Sequence, residues 1–484
     1  MLKLNDPSLL ETRAYVNGEW IEGAKRFAVQ DPATGETVAE VADLDVDATR
    51  AAIEAAHAAK PDWAALTGKE RAGYLRRFHD LMMENQDDLA AILTAEMGKP
   101  LSEAKGEIAY GASFLEWFAE EAKRVYGDVI PGHQRDKRIL VIRQPVGVVG
   151  SITPWNFPNA MIARKLAPAL AAGCTFVGRP SELTPLSALA MAVLAERAGI
   201  PAGVFNIIPG VDAAGMGEEL CANPKVAKIT FTGSTRVGKI LMRQGAETVK
   251  KISLELGGNA PFLVFDDADL DAAVDGAMIA KFRNNGQTCV CANRIYVQAG
   301  VYDAFAEKLA ARLATLQPGN GFEPGVTTGP LINADALAKV EAHISDATEK
   351  GAQVAAGGHR SNLGRTFFEP TLLTGVTQQM RVAREETFGP LAPLIRFETE
   401  AEAIEMANAT EFGLAGYFYA NDLARVWRVA EAMETGIVGV NTGLISTEVA
   451  PFGGIKQSGV GREGSKYGIE DFTELKYMCL GGIE

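Results

Sequence analysis

The feature that most constrains the fold is an alternation between short apolar runs and stretches of helical periodicity, which begins near residue 139. Such an alternation is typical of parallel strands joined by crossover helices. It therefore predicts an α/β protein with a parallel sheet and helices on both of its faces. The predicted strands are 139–142, 148–152, 175–177, 204–208 and 228–232, and the predicted helices are 160–172 and 186–198.

A second set of strands is predicted to begin after residue 252. The runs 253–256 and 261–265 are short and apolar, and a helix is predicted for 270–285. The chain has 484 residues, which is too many for one hydrophobic core, so two or three domains are expected.

The overall composition excludes several classes of partner. The formal net charge is −14 at pH 7, which argues against nucleic acid and against anionic membrane surfaces. No apolar run reaches transmembrane length, and the first residues lack the apolar core of a signal peptide. Five cysteines in so long a chain do not make a disulfide framework, and no metal-ligand spacing occurs. We therefore expect a cytoplasmic protein with no nucleic-acid, membrane or metal partner.

Two short segments, whose key residues are 34 positions apart, indicate covalent chemistry. Glu255 precedes a pair of glycines in the segment 254–259, and Cys289 follows a glycine in the segment 285–291. Together they suit a nucleophile and the base that later activates water against the ester it forms. The alternative is that Glu255 is a charge at a strand end and Cys289 a small buried apolar residue.

A glycine-containing turn follows the predicted strand 228–232. Its sequence at 231–238 is Phe-Thr-Gly-Ser-Thr-Arg-Val-Gly, and it opens a helix. Glycine lets the backbone approach a ligand, and the helix start offers free N–H groups to phosphate. The spacing is Gly-x4-Gly rather than the Gly-x-Gly-x-x-Gly dinucleotide pattern. A tight strand-to-helix turn without a ligand is the alternative.

Taken together, these segments resemble the aldehyde dehydrogenase superfamily. The resemblance also covers the motifs at 153–158, 385–390 and 451–459, and it extends from about residue 17 to the C-terminus. It implies an α/β fold with a Rossmann-type cofactor domain, an α/β catalytic domain and a small β oligomerisation domain. The implied ranges are 1–125 and 144–253 for the NAD(P)-binding domain, 254–453 for the catalytic domain, and 126–143 and 454–484 for the oligomerisation segments.

The resemblance implies a role for each residue around the nucleophile. Cys289 attacks the aldehyde, and Asn156 and the Cys289 backbone N–H donate to the resulting oxyanion. Glu255 activates the water that hydrolyses the thioester. Lys165 lies near the nicotinamide ribose and helps to ionise the thiol, whose attack is faster if nearby charge lowers its pKa. Glu474 matches a second acidic residue in the proton relay.

The resemblance also implies a nicotinamide coenzyme, NAD first with some NADP tolerated. Glu182 matches the carboxylate that binds the adenosine ribose, and a carboxylate there repels a 2′-phosphate. Arg179 replaces the usual lysine, and its planar guanidinium could reach such a phosphate. The implied coenzyme-binding residues are Trp155, Arg179, Ser181, Glu182, Gly210, Gly233, Ser234, Gly238, Glu386 and Phe388.

Finer details, including the segment 282–294, resemble the succinate-semialdehyde dehydrogenase branch. Its substrate carries a carboxylate at the end away from the aldehyde, and Arg164, Arg283 and the Ser446 hydroxyl are expected to bind that group. A structural salt bridge is the alternative for each arginine. Glutarate semialdehyde, which is one methylene longer, or another ω-carboxy aldehyde is the alternative substrate. The family expectation is a place in 4-aminobutyrate degradation.

Three further points stay open in the sequence. Cys291 is either a packed core residue or, as the resemblance to this branch suggests, the partner of Cys289 in a reversible regulatory disulfide. The oligomerisation segments predict a homotetramer or homodimer, or they are surface ribbons. The competing functions are a cofactor-free cysteine hydrolase, a coenzyme-A-acylating dehydrogenase and a non-catalytic structural protein.

Overall fold

The computed structural model describes residues 2–483 of the chain. Several helices begin at side chains that accept N–H groups of the first turn, among them Asp45, Ser234 and Asp269. Thr67 and Glu70 form a complete capping box at the start of the second helix. The helices are α1 Val46–Ala65, α2 Gly68–Glu84, α3 Gln86–Met97, α4 Leu101–Glu121, α5 Ala160–Ala172, α6 Leu186–Arg197, α7 Ala213–Ala222, α8 Thr235–Ala246, α9 Leu270–Phe282, α10 Tyr302–Leu313, α11 Ala334–Glu349, α12 Arg381–Arg384, α13 Glu400–Asn408 and α14 Leu423–Ala432.

The strands are short, and most of them belong to two large sheets. They are β1 Ala14–Val16, β2 Glu19–Ile21, β3 Lys25–Gln30, β4 Thr37–Asp43, β5 Asp128–Ile130, β6 Arg138–Pro145, β7 Val148–Ile152, β8 Thr175–Arg179, β9 Phe205–Ile207, β10 Val226–Thr232, β11 Lys251–Glu255, β12 Ala260–Val264, β13 Ala292–Gln298, β14 Gln353–Ala356, β15 Thr371–Thr374, β16 Leu391–Phe397, β17 Phe412–Gly413, β18 Ala415–Tyr419, β19 Ile437–Val440, β20 Ile455–Lys456, β21 Gly459–Val460 and β22 Thr473–Leu480.

The first sheet confirms the predicted parallel α/β architecture. Its strand order is β2-β1-β9-β8-β7-β10-β11-β21, and the five strands from β9 to β11 run parallel. Successive side chains of a strand point to opposite faces. Phe176 and Val177, which are neighbours on β8, accordingly pack into two different apolar cores, one on each face of the sheet.

The alternating pattern by itself misplaced two strands, one of which, 139–142, belongs to the segment 126–143 that the resemblance set apart. The run 139–142 lies in β6, which pairs antiparallel with β22 and β5 in a separate three-stranded sheet. The run 253–256 does not begin the second sheet, because β11 pairs with β10 and completes the parallel part of the first. Apolar character marks both runs as strands, but the pairing depends on contacts far along the chain. As a result Glu255 lies directly beside Thr232, at the turn that opens α8.

The second sheet has the order β14-β15-β16-β13-β12-β18-β19 and is parallel from β15 to β19. It contains the predicted run 261–265 and has apolar cores of its own. The predicted helix 270–285 ends earlier, at Phe282, and a 3-10 turn follows at Arg283–Gly286. Asn284 and Asn285 adopt positive φ angles of 52° and 54°, which a helix cannot accommodate.

Within residues 2–483, no helix combines the length and the apolar character that crossing a bilayer requires.

Candidate active site

Cys289 lies between the two large sheets, where two cavities meet. The outer cavity has a volume of about 320 Å³, and the inner groove about 240 Å³. Cys289 and Met161 line both of them. A small molecule in the outer cavity and a second molecule in the groove can therefore reach the same sulfur from two sides.

The Cys289 thiol is not activated by its surroundings in this state. Burial raises its pKa to about 12, and the nearby Arg164 guanidinium opposes that shift without overcoming it. The expectation that Lys165 helps to ionise the thiol is not supported, since Lys165 bonds Glu463 and Thr232 instead. Attack by sulfur therefore requires a base.

Glu255 can be that base. It ends β11, its side chain is buried, and neither carboxylate oxygen has a hydrogen-bond partner within residues 2–483. Burial, followed by the charge of Glu463, raises its pKa well above the ordinary value. The backbone of Gly453 approaches the same carboxylate so closely that a Cβ there would lie 2.9 Å from Oε1. A carboxylate held in this way is a stronger base than an ordinary glutamate.

A buried charge cluster lies next to Glu255. Glu463 forms ion pairs with Arg164 and Lys165, and the three side chains are at most 6% exposed. Against the effect of burial, the two cations lower the pKa of Glu463. Opposite charges that bury together keep one another ionised. The cluster therefore presents charges of both signs to Glu255: the Glu463 charge raises the pKa of Glu255, and the two cations lower it.

Glu463 replaces Glu474 as the second acid of the site. Glu474 is exposed on β22 and pairs with Lys251 at 3.1 Å, so its predicted role in proton relay was wrong. The sequence does carry a signal for Glu463. Every residue of α5 is buried, and Arg164 and Lys165 are the charges on it. Two buried cations require a buried acid from elsewhere in the chain.

Asn156 occupies the loop between β7 and α5. Its Nδ2 donates to the carbonyl of Gln287 at 2.9 Å, which leaves the second amide hydrogen available. The backbone carbonyl of Asn156 accepts from Lys99 Nζ at 2.8 Å and from Asn284 Nδ2 at 3.1 Å. The loop is thus bonded at several points, as an oxyanion donor requires.

The inner groove contains several of the predicted coenzyme residues. The Trp155 and Phe388 rings meet edge to face at 5.6 Å, and Gly233, Ser234 and Glu386 lie around them. Burial raises the pKa of Glu386 to about 7, although its carboxylate accepts the Gly258 N–H at 3.1 Å. Lys339 also lines the groove and was not predicted from the sequence.

Gly238 is the more deeply buried glycine of the turn 231–238, and its role is in packing. A Cβ on Gly238 would lie 2.4 Å from the Leu256 side chain, so glycine is needed there for the helix to approach the sheet. Ser234 caps α8 by accepting the Val237 N–H at 3.3 Å.

The predicted ribose end contains an ion pair that the sequence did not reveal. Arg179 donates to Glu182 at 2.9 Å and to the carbonyl of Gly210 at 2.8 Å. The Arg179 side chain is buried, with Nε unpartnered, whereas that of Glu182 is 41% exposed. The Arg179 guanidinium offsets the charge of the Glu182 carboxylate. The predicted preference for NAD depended on that charge. Ser181 is buried and accepts the Leu183 N–H at 3.2 Å.

The outer cavity distinguishes the two arginines. Arg164 is paired with Glu463 and stacks on Phe452 at 4.1 Å, so the salt-bridge alternative holds for it. Arg283 lies over the Phe157 ring at 5.5 Å, and within residues 2–483 no carboxylate is within ion-pair distance of it. Ser446 also lines this cavity. Sequence reasoning missed Lys99, Glu103, Glu107 and Tyr110 in its wall.

Cys291 is buried behind the nucleophile. Its sulfur accepts from Lys281 Nζ at 3.3 Å, and both Cys289 and Cys291 are free thiols. Burial raises the pKa of Cys291, and the Lys281 ammonium opposes that shift. Across the described residues, no group of three or more His, Cys, Asp and Glu side chains is arranged to hold a metal ion.

Comparison with known proteins decides the family. The profile of the "Aldehyde dehydrogenase family" matches residues 20–478. The chain belongs to the aldehyde dehydrogenase family. It is 65% identical to a glutarate-semialdehyde dehydrogenase of Pseudomonas aeruginosa, with all of both chains covered. It is 62% identical to the succinate-semialdehyde dehydrogenase [NADP(+)] GabD of Escherichia coli, over 99% of this chain and 100% of that one.

A solved structure of this family shares the whole fold. The succinate-semialdehyde dehydrogenase of Burkholderia pseudomallei has a TM-score of 0.98 and 61% identity, over 99% of this chain and 100% of that one. The predicted fold and family are therefore confirmed. As an aldehyde dehydrogenase, the chain is an oxidoreductase that acts on aldehydes, and the sulfur between the two cavities is where that chemistry is expected.

Proposed function

We propose that this aldehyde dehydrogenase oxidises succinate semialdehyde to succinate, with glutarate semialdehyde or another ω-carboxy aldehyde as the alternative substrate. The observation that carries the proposal is the Arg283 guanidinium, which lines the outer cavity together with Cys289 and forms no ion pair with a carboxylate of the described residues. A guanidinium without a partner suits a substrate carboxylate, which it can bind through two parallel hydrogen bonds. The names of the two relatives support the same substrate class.

The residues of the site supply the steps on the sulfur side. Glu255 or a water bonded to it takes the Cys289 proton, and the thiolate adds to the aldehyde carbon to give a thiohemiacetal. The free amide hydrogen of Asn156 and the Cys289 backbone N–H stabilise its oxyanion. A bound nicotinamide coenzyme supplies the hydride acceptor. Glu255 then removes a proton from water, which hydrolyses the Cys289 thioester and releases the acid.

The groove residues fit a nicotinamide coenzyme. Trp155, Phe388 and Glu386 would hold its nicotinamide end, Gly233 and Ser234 its phosphates, and Ser181 and Glu182 its adenosine ribose. The unpartnered Arg179 Nε and the Arg179–Glu182 ion pair support the use of NADP as well as NAD, because Glu182 no longer acts as an isolated negative charge.

A panel of aldehydes tests the substrate class and the coenzyme together. Succinate semialdehyde, glutarate semialdehyde and butanal are each measured with NAD and with NADP by the absorbance of the reduced coenzyme. We expect kcat/KM to favour the two ω-carboxy aldehydes over butanal by about 10- to 100-fold, the value of a charge-assisted contact. Equal values for butanal would contradict the proposal. Added coenzyme A should not raise the rate, since Glu255 directs water to the thioester.

We propose that the ranges 126–143 and 454–484 join subunits in a homotetramer or homodimer. The sheet β22-β6-β5 presents large apolar side chains to solvent, with Val129 80%, Leu475 63% and Tyr477 60% exposed. Exposed apolar patches of this kind favour association. The five free cysteines support a reducing compartment such as the cytoplasm.

We also propose that Cys291 forms a reversible disulfide with Cys289. Its position two residues from the nucleophile supports the proposal, and the Lys281 ammonium at 3.3 Å opposes the effect of burial on the pKa of its thiol. Peroxide should inactivate the enzyme, and added thiol should restore it. With Cys291→Ala we expect inactivation that thiol no longer reverses, whereas Cys221→Ala, at another buried cysteine, should behave as the parent does. Unchanged sensitivity and recovery in Cys291→Ala would show that the switch is absent.

A further inference from the structure

Two helices of the site begin without a cap of their own. The N-cap of α5 is Asn159, whose side chain makes no capping bond, and the N-cap of α6 is Pro185, which has no side-chain acceptor. Each helix follows directly after a site loop, the first with Asn156 and the second with Glu182. Buried N–H groups at a helix start require acceptors, so these must come from another part of the chain.

Both acceptors are glutamates of one short N-terminal segment. Glu96, near the end of α3, accepts the N–H of Leu186 at 2.7 Å and that of Ser187 at 2.8 Å. It is fully buried. A carboxylate at a helix N-terminus bonds the free N–H groups and meets the positive end of the helix dipole. Glu96 therefore fixes the start of α6 and, with it, the loop 181–185.

Glu107, on α4, does the same for α5. Its Oε1 accepts the N–H of Asn159 at 3.0 Å and that of Ala160 at 3.2 Å. Its Oε2 lies 2.6 Å from Lys99 Nζ, and both side chains are 1% exposed. The same ammonium donates to the carbonyl of Asn156 at 2.8 Å. One buried ion pair thus holds both ends of the oxyanion loop.

A third glutamate links this segment to the nucleophile. Glu103 Oε2 accepts the N–H of Asn284 at 2.8 Å, and Asn284 Nδ2 in turn donates to the carbonyl of Asn156 at 3.1 Å. Asn284 lies in the 3-10 turn that precedes Cys289. The segment 96–107 therefore contacts the backbone of all three site loops.

We propose that the segment 96–107 contains two separable positioning devices, a first in which the Lys99–Glu107 pair sets the Asn156 amide and a second in which Glu96 sets the coenzyme-ribose loop. The inference rests on the roles proposed above for Asn156 and for Ser181 and Glu182. Both devices act through the backbone of other residues. Loss of the Lys99–Glu107 pair should consequently slow ester hydrolysis and leave the affinity for NAD unchanged. Loss of Glu96 should do the reverse.

The first device is tested with Lys99→Met/Glu107→Gln. The double variant removes both charges of the ion pair together, and glutamine keeps an acceptor for α5. We expect coenzyme-free hydrolysis of p-nitrophenyl acetate, which uses Cys289 and the oxyanion donor, to fall about 10- to 100-fold. The dissociation constant for NAD, measured by calorimetry, should stay within about twofold of the parent. If the double variant does not fold, the milder Lys99→Arg takes its place. It keeps the ion pair but moves the donor, and should slow ester hydrolysis several-fold.

The second device is tested with Glu96→Gln, and the expected pattern is reversed. The dissociation constant for NAD should rise about fivefold or more, and ester hydrolysis should stay within about twofold of the parent. Asp422→Asn is the matched control, because Asp422 caps α14, which carries none of the site residues. It should leave both measurements unchanged.

The outcomes separate failure of the positioning proposal from failure of the proposed function. Asn156→Ala must slow ester hydrolysis if Asn156 is the oxyanion donor, and if it does not, both proposals fall. If Asn156→Ala slows ester hydrolysis but the variants of the segment 96–107 change only the melting temperature, these residues are merely structural. If a single variant alters ester hydrolysis and coenzyme affinity together, the two devices are not separable and the inference is overturned.

Discussion

The cluster beside Glu255 and the wall of the outer cavity treat charge in opposite ways. In the cluster, Arg164, Lys165 and Glu463 satisfy one another, although Arg164 also lines the outer cavity. Arg283, in the cavity wall, forms no ion pair within the described residues. Arginines of one site, both assigned to the substrate from sequence, therefore differ in their pairing. A paired buried charge adjusts the pKa of its neighbours, whereas an unpaired one in a cavity is available to an external anion.

The largest expected effect lies at Glu255. Glu255→Gln removes the base while keeping its shape, and we expect kcat to fall about 10²- to 10⁴-fold. Because the same carboxylate takes the Cys289 proton and later a proton of the hydrolytic water, rapid mixing should show the burst of reduced coenzyme slowed together with the steady state. A full and fast burst before a stalled steady state would assign Glu255 to hydrolysis alone and leave the thiol proton to another base.

Substitution of Arg283 in the outer-cavity wall should change KM, and only for charged substrates. Arg283→Ala removes a charge-assisted contact of about 1.5–3 kcal/mol, so KM for succinate semialdehyde should rise roughly 10- to 150-fold. KM for butanal should change less than about twofold. Arg164→Ala is the informative counterpart, because it disturbs the Glu463 cluster and should lower kcat for both aldehydes alike. Equal effects of Arg283→Ala on KM for the two aldehydes would remove the distinction between Arg283 and Arg164.

The smallest effect concerns the pH profile. Burial first, and then the Glu463 charge, raise the pKa of Glu255, so that the basic form is lost as the pH falls through the raised value. Glu463→Gln removes the repelling charge and leaves Arg164 and Lys165 to favour the Glu255 carboxylate. The acidic limb of kcat against pH should then move to lower pH. Glu474→Gln, on the exposed ribbon, should leave the profile in place. If the pH profile shifted in Glu474→Gln and not in Glu463→Gln, the second acid of the site would be Glu474 after all.

The sequence determined the elements whose cause is local. Alternating apolar runs and helical stretches predicted the parallel part of the first sheet, and the segments around Cys289, Glu255 and Asn156 predicted the family and its chemistry. These patterns arise from periodicities of 2 and 3.6 residues and from turns a few residues long, so that neighbouring residues suffice to recognise them.

Only the tertiary structure decided how distant residues pair. It placed 139–142 in a separate sheet, joined Arg179 to Glu182, and brought Glu463 to Lys165 across 298 positions of sequence. It also set the pKa of Cys289 to about 12, since burial is a property of the assembled core. A charge carries no mark in the sequence of which opposite charge it will meet, because that depends on where two sheets and their helices close around it.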